Sequence, residues 1–248
     1  MAALPEHAKV VVIGQGGIVG ASVVHHLIEE GWDDIVGLEK SAIPTDIGST
    51  SHASDFCYMT SHDKLNVEIT NYSREFYAKR GNYIKTGGLE VARKDDNERM
   101  LELIRKVGSG KAFGTNAYMI SAAEAKEKFP LLEEDQIQGA MWDPDAGLVT
   151  PRSQKVAGDL VDEAVASGKL KAFAYTPATK LIVENGEIKG VETHKGTIRA
   201  DYVVLCVGIW GNLVSETAGV KLPLMPLEHP LLFFGPWDHL EGTGKDIV

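Results

Sequence analysis

Lys9-Val10-Val11-Val12-Ile13-Gly14-Gln15-Gly16-Gly17-Ile18-Val19-Gly20 is the stretch that decides how this chain folds. Its opening is a continuous β-branched run, the composition of a strand covered on both faces in a parallel sheet. Glycines then turn the chain, and the segment Ala21 to Glu30 places Val24, Leu27 and Ile28 on one helical face before Gly31 stops it. Ile35-Val36-Gly37-Leu38 is a second strand that closes on Glu39. A dinucleotide-binding fold sets an acid at this distance, about twenty residues past the turn, against a ribose hydroxyl.

The glycines answer a demand for space. Backbone must touch a pyrophosphate whose charge is held by free amides at a helix N-terminus. Glycines at 14, 16, 17 and 20 are one residue more than G-x-G-x-x-G allows. Gly14 reads as the tight turn and Gly20 as the helix-packing position, with Gly16 or Gly17 at the phosphate. Ile18, which opens the helix, and Lys40, which follows the acid, complete the expected cofactor contacts. His25 and His26 read as ordinary helix residues, not ligands.

Composition narrows the function. The chain has 248 residues, 44% apolar, with 35 acidic and 25 basic side chains and a net charge of −10. Polyphosphate would be repelled, which argues against nucleic acid and anionic membranes as partners. Cys57 and Cys206 are too few for a disulfide framework and fit a reducing compartment. The start shows neither signal peptide nor membrane span, so the expected location is cytoplasmic.

Two further segments suit a ligand. Ile43 to Ala53 is a small-residue loop without hydrophobic period, containing Gly48, Ser49, Thr50 and His52. Tyr202-Val203-Val204-Leu205-Cys206-Val207-Gly208 reads as another buried strand ending on glycine, followed by Ile209-Trp210-Gly211. Flavoproteins of the two-dinucleotide type repeat such an element beside the flavin, whereas a nicotinamide dehydrogenase has no special need of it.

At these residues the chain resembles the flavin-dependent amine oxidoreductases of the D-amino-acid oxidase and sarcosine oxidase type, in particular the dimethylglycine oxidase and dehydrogenase branch with sarcosine dehydrogenase. The resemblance runs through Gly48-Ser-Thr-Ser-His-Ala53, Gly87-Gly-Leu-Glu-Val-Ala92, Asp145-Ala-Gly-Leu148, Ala200-Asp-Tyr-Val-Val204, Gly208-Ile-Trp-Gly211 and Pro223-Leu-Met-Pro-Leu-Glu-His229. It implies FAD as cofactor, attached covalently through the flavin 8α-methyl to His52. Ser49 and Thr50 would contact the cofactor, Glu39 the adenosine ribose and the backbone of Ala178 the adenine. Gly208 and Trp210 would lie beside the flavin. His229 would line the substrate side as the catalytic histidine, freeing the lone pair of an amine so that hydride can leave carbon.

The expected fold class is α/β: an FAD-binding, Rossmann-like parallel sheet formed by residues 1–85 and 150–220, with an inserted, incomplete α+β substrate domain at 86–149 and 221–248. Within it, residues 63–80 predict a helix whose inward stripe is Leu65, Ile69, Tyr72 and Phe76. A helix over 95–107 turns Leu101, Ile104 and Val107 inward. Ser121 and Glu124 form a capping box, 143–146 a hairpin turn, and Asn185-Gly186 a type I′ turn. Pro151 starts a helix with Val156, Leu160 and Ala164 on one side. The resembling oxidases continue past the equivalent of Val248, so the chain is expected to be a fragment, with Leu231 to Phe234 lacking a sheet neighbour. The function expected is oxidation of a dimethylglycine- or sarcosine-like small-molecule amine, with oxygen or an electron-transfer protein as acceptor. A catalytically silent FAD- or nucleotide-binding subunit and an NAD-dependent dehydrogenase are the alternatives, and no metal site is expected.

Overall fold

A computed structural model describes residues 3–228 together with 230, 232 and 238. In chain order it contains β1 (His7–Ile13), α1 (Ile18–Glu29), β2 (Ile35–Leu38), β3 (Phe56–Cys57), α2 (Lys64–Lys79), β4 (Tyr83–Ile84), β5 (Gly88–Arg93), α3 (Asn97–Ala112) and β6 (Tyr118–Ile120). There follow α4 (Ala122–Lys128), β7 (Ile137–Asp143), β8 (Gly147–Val149), α5 (Ser153–Ala166), β9 (Leu170–Phe173), β10 (Ala178–Glu184), β11 (Glu187–Thr193), β12 (Gly196–Leu205) and α6 (Gly211–Ser215). The chain forms two compact units, Met1–Ser54 with Pro151–Leu231 and Asp55–Thr150 with Leu232–Val248.

The first unit is built on a six-stranded sheet in the order β10-β11-β12-β1-β2-β9. β12, β1, β2 and β9 run parallel, and β10 and β11 extend the sheet as an antiparallel meander. The β-branched run of β1 is central, and Val10, Val11 and Val12 are buried. Ile13 pairs with both Leu38 and Leu205, so β1, β2 and β12 end level at their carboxyl termini. α1 ends where Gly31 takes a positive φ of 86°. α5 packs against α1 and buries Val156, Leu160 and Ala164, the predicted stripe. Asn185 and Gly186 both have positive φ, as a type I′ turn between β10 and β11 requires. This is the α/β architecture expected.

One prediction for this unit is revised. In β12 Tyr202 is exposed, and Val203, Val204 and Leu205 are half-buried rather than buried; Leu205 and the residues after it line a cavity.

The second unit holds two three-stranded sheets, β3-β8-β4 and β5-β7-β6, all of their pairs antiparallel. Its core includes Ala92, Leu103, Val107, Ala117 and Met141. Buried Glu90 is paired with Arg99 at 2.7 Å and with Lys106. The capping box of Ser121 and Glu124 forms as expected.

Several expectations change here. The unit begins at residue 55, not 86, because β3 and β4 both pair with β8 and draw residues 55–85 into its sheet. Asp143–Ala146 is a turn, its Ala146 N–H donating to the Asp143 carbonyl at 3.3 Å, but not a hairpin. β7 and β8 leave it for different sheets. On α2, Leu65, Ile69 and Tyr72 are exposed and Val67 is buried. On α3, Leu101 and Ile104 are exposed while Leu103 and Val107 face inward. Of the expected stripes only Val107 is buried, and Phe76 is half-buried; Val67 and Leu103, which the periodicity did not select, are buried. The segment expected as an unpaired strand, Leu231 to Phe234, lies outside the described residues except for exposed Leu232. Among the described residues no helix is long and apolar enough to cross a membrane.

Leu160 is fully buried in α5. Leu160→Ala is expected to destabilise the protein by about 2–5 kcal/mol, through lost transfer energy and a residual cavity. Urea unfolding checks this, with a lower midpoint and an unchanged slope.

Candidate functional site

A cavity of about 410 Å³ opens at the carboxyl ends of β1, β2 and β12, entirely within the first unit. This is where ligands bind in parallel α/β sheets, because strand ends and helix N-termini converge there. Gly14 and Gly17 of the β1–α1 turn line it, with Glu39 and Lys40 at the end of β2. Gly48, Ser49, Thr50, Ala178, Gly208 and Trp210 also line it.

The turn needs glycine at its closest approaches. A Cβ on Gly14 would overlap the Cys206 carbonyl, and one on Gly20 would overlap the Gly14 carbonyl. Gly14 also holds a φ of 87°, which disfavours any L side chain. A Cβ on Gly16 would lie 2.8 Å from Glu39 Oε2. Gly17 lines the cavity and Gly16 does not. Gly17 is also the N-cap of α1 and carries no side-chain cap. The N-terminal amides of that helix therefore lie beside the cavity.

Glu39 is buried and tied to the turn. Its Oε2 accepts the Gly16 N–H at 3.1 Å, and its Oε1 accepts the N–H groups of Lys40 at 2.8 Å and Ser41 at 3.2 Å. The carboxylate is thus oriented at the cavity wall with lone-pair capacity left on Oε2. Lys40 Nζ sits 3.5 Å from the centroid of the Trp210 ring. That cation–π contact joins the end of β2 to the turn after β12.

The loop from Thr45 to Ala53 is held by polar contacts instead of a ladder. Thr45 N–H donates to the Gly16 carbonyl at 2.9 Å, and Thr50 Oγ1 accepts the Ile18 N–H at 3.0 Å. His52 is exposed and not on the cavity wall. Its Nδ1 lies 3.0 Å from the Gly48 carbonyl oxygen and 3.0 Å from Ser51 Oγ. A carbonyl can only accept, so the bond to Gly48 requires a proton on Nδ1.

The structure therefore brings Gly14, Gly17, Glu39, Lys40, Gly48 and Ser49 to one cavity, together with Thr50, Ala178, Gly208 and Trp210. Gly16, Ile18 and Gly20 support the turn behind that wall. His229 lies outside the described residues. Sequence reasoning missed buried Thr45 and Thr176. Thr176 N–H donates to the Glu39 carbonyl at 2.7 Å. Thr45 stands in the small-residue loop already singled out, so a signal was present, whereas Thr176 depends on β9 lying beside β2. Among the described residues, no group of three His, Cys, Asp or Glu side chains is placed to hold a metal ion.

A glycine turn crowded by backbone, a helix N-terminus whose N-cap is a glycine and an oriented carboxylate at the strand ends together fit an adenine dinucleotide. They define a dinucleotide-binding fold. The chain belongs to the DAO family of FAD-dependent oxidoreductases, which it matches over residues 9–246. It is 32% identical to the mitochondrial pyruvate dehydrogenase phosphatase regulatory subunit of Mus musculus, over 95% of this chain and 27% of that protein. It is 31% identical to the mitochondrial sarcosine dehydrogenase of Homo sapiens, over 91% of this chain and 25% of that protein. The chain thus spans about a quarter of the length of these relatives. Among solved structures, L-proline dehydrogenase from P. horikoshii superposes with a TM-score of 0.78 at 32% identity, over 88% of this chain and 57% of that one.

Two outcomes follow from this geometry. Gly20→Ala puts a methyl into the Gly14 carbonyl and is expected to lower stability and to weaken FAD binding together, read by thermal unfolding and by flavin titration. Burial pushes the Cys206 thiol up to about 11. At pH 9, two units below that value, roughly 1% would be thiolate, so alkylation should run tens of times slower than in the unfolded chain. The raised value also means the associated stability is complete below the ordinary thiol range and is lost as pH climbs through about 11. Mass-spectrometric labelling across pH 8–11 reads the first effect and unfolding curves the second.

Proposed function

We propose that this chain forms the FAD-binding part of an oxidoreductase acting on a secondary or tertiary amine, a dimethylglycine- or sarcosine-like N-methyl amino acid. The observation that carries the reading is the glycine cradle and Glu39 at the level ends of β1, β2 and β12, in a chain of an FAD-dependent family. Membership of that family favours FAD over a nicotinamide cofactor. The likeness to sarcosine dehydrogenase supports an N-methyl amino acid as substrate.

In this reading Glu39 Oε2 accepts a ribose hydroxyl while the α1 amides and the Gly17 backbone hold the pyrophosphate. Ala178 presents backbone to the adenine, Ser49 and Thr50 contact the cofactor from the loop, and Gly208 and Trp210 flank the flavin end. FAD, when bound, takes a hydride equivalent from the amine, and oxygen or an electron-transfer protein removes the electrons. His229 would take the proton of the substrate ammonium and so free its nitrogen lone pair.

His52 is the covalent anchor in this proposal. Its Nδ1–H is directed to the Gly48 carbonyl, which leaves Nε2 as the nucleophile. Nε2 would hold the cofactor through a C–N bond to the flavin 8α-carbon; that bond costs one proton from the methyl and one from the imidazole, and the flavin would supply the two-electron oxidation it requires, later regenerated by the acceptor.

A second reading has its own support. The regulatory subunit of a phosphatase is among the relatives, which favours a flavin-binding module that performs no turnover.

Acid precipitation of purified protein separates the possibilities. Yellow colour is expected in the pellet of the wild type and in the supernatant for His52→Ala. Colour released from both removes the covalent anchor, and failure to take up FAD under any folding condition removes the whole reading. Flavin retained without reduction by dimethylglycine, sarcosine or related N-methyl amino acids supports the regulatory module.

A further inference from the structure

The loop carrying His52 is bonded within itself through Gly48, whose carbonyl accepts from Ser51 Oγ at 2.8 Å and lies 3.0 Å from His52 Nδ1. Within it, the Ser51 and His52 N–H groups donate to the Gly48 and Ser49 carbonyls at 3.1 and 3.2 Å. Additional restraint comes from the start of α5, a hundred residues further on. Arg152 Nη2 donates to the carbonyl oxygen of Ser51 at 3.3 Å and to that of Ala53 at 3.2 Å. These carbonyls stand one residue before and one residue after His52. Gln154 Nε2 donates to the Thr45 carbonyl at 2.7 Å, at the other end of the same loop.

We infer that Arg152 is a positioning residue for flavin attachment: its guanidinium grips the backbone on both sides of His52 and so aims the imidazole. The imidazole is oriented by its Nδ1 contacts to Gly48 and Ser51, which hold only while the backbone on both sides of His52 stays in place, and one guanidinium joins the carbonyls on both flanks. Arginine suits the task because it stays charged at every working pH and presents its donors in a fixed plane. Gln154 anchors the loop's origin, so loop and helix move as one body. Neither residue is on the cavity wall, which separates holding the loop from holding the cofactor. The inference rests on the covalent reading given above.

The test compares wild type with Arg152→Met, Arg152→Lys and Gln154→Ala. Flavin-free protein is mixed with FAD, and three quantities are followed: total FAD bound, the rate at which flavin becomes acid-stable, and hydrogen–deuterium exchange of the peptide over residues 48–54. For Arg152→Met, attachment is expected to slow by about 10²-fold, the effect of displacing a reacting group by an ångström, while FAD affinity stays close to wild type. Exchange at Ser51 and His52 should quicken by about tenfold as the turn opens more freely. Arg152→Lys should recover part of both losses, and Gln154→Ala should quicken exchange with a smaller effect on attachment. Wild-type attachment and exchange in Arg152→Met would overturn the inference. So would a loss of FAD affinity that matches the loss of attachment, since that marks a general folding role. If Arg152→Met does not fold, Arg152→Lys with and without added ethylguanidinium decides, and a rate insensitive to both changes counts against the inference. If the wild type attaches no flavin, the covalent reading fails by itself. Exchange then judges the clamp, and unchanged exchange in the variants overturns it.

Discussion

Everything in the first unit depends on how closely the β1–α1 turn approaches the end of β12. Gly14 lies against the Cys206 carbonyl and Gly20 against the carbonyl of Gly14. No larger residue fits at either place without moving main chain. Because α1 can therefore sit close to the strand ends, its N-terminal amides are delivered to the space where β1, β2 and β12 stop together. A helix held even one side chain further out would put its positive end beyond reach of that space. The cavity is a consequence of backbone touching backbone.

Glu39 shows how one residue serves the fold and the site at once. Its carboxylate is occupied by three amides, including that of Gly16 in the turn. A buried carboxylate is tolerated because those donors replace the water it has lost. The same bonds stop it from rotating away from the wall. The second strand thus contributes a cap for the turn and an acceptor for a ligand through a single side chain. Thr45 and Thr176 reinforce this corner from the loop and from the chain after β9. The Lys40–Trp210 contact then ties the corner to the turn that follows β12.

The second unit obeys a different logic. Its sheets are antiparallel and short, and its buried charge, Glu90, is neutralised by Arg99 and Lys106 of α3. Such a pair holds strand β5 and helix α3 in one relation, because separating them would strand a charge away from water. The unit contains the antiparallel pairings of β8 with both β3 and β4, and these set its boundary at residue 55.

The first forty residues were legible because their information is local: β-branched run, glycines, amphipathic helix and terminal acid follow one another at fixed spacing, and each reports its own backbone requirement. Asn185-Gly186 and Ser121–Glu124 were legible for the same reason. What periodicity alone misjudged was burial on α2 and α3, where the apolar stripe and the packed face differ. A helix's pattern states which faces it could bury, and only its neighbours decide which one it does. That Gly16 packs against Glu39 while Gly17 faces the cavity needed the position of a residue twenty-odd places away. The grip of Arg152 on the His52 loop needed two segments a hundred residues apart to meet. The amino-acid order by itself determined the dinucleotide cradle and the family it belongs to, whereas tertiary structure decided the unit boundary, the wall of the cavity and the aim of His52. Those last three depend on contacts between distant segments, which no local spacing encodes.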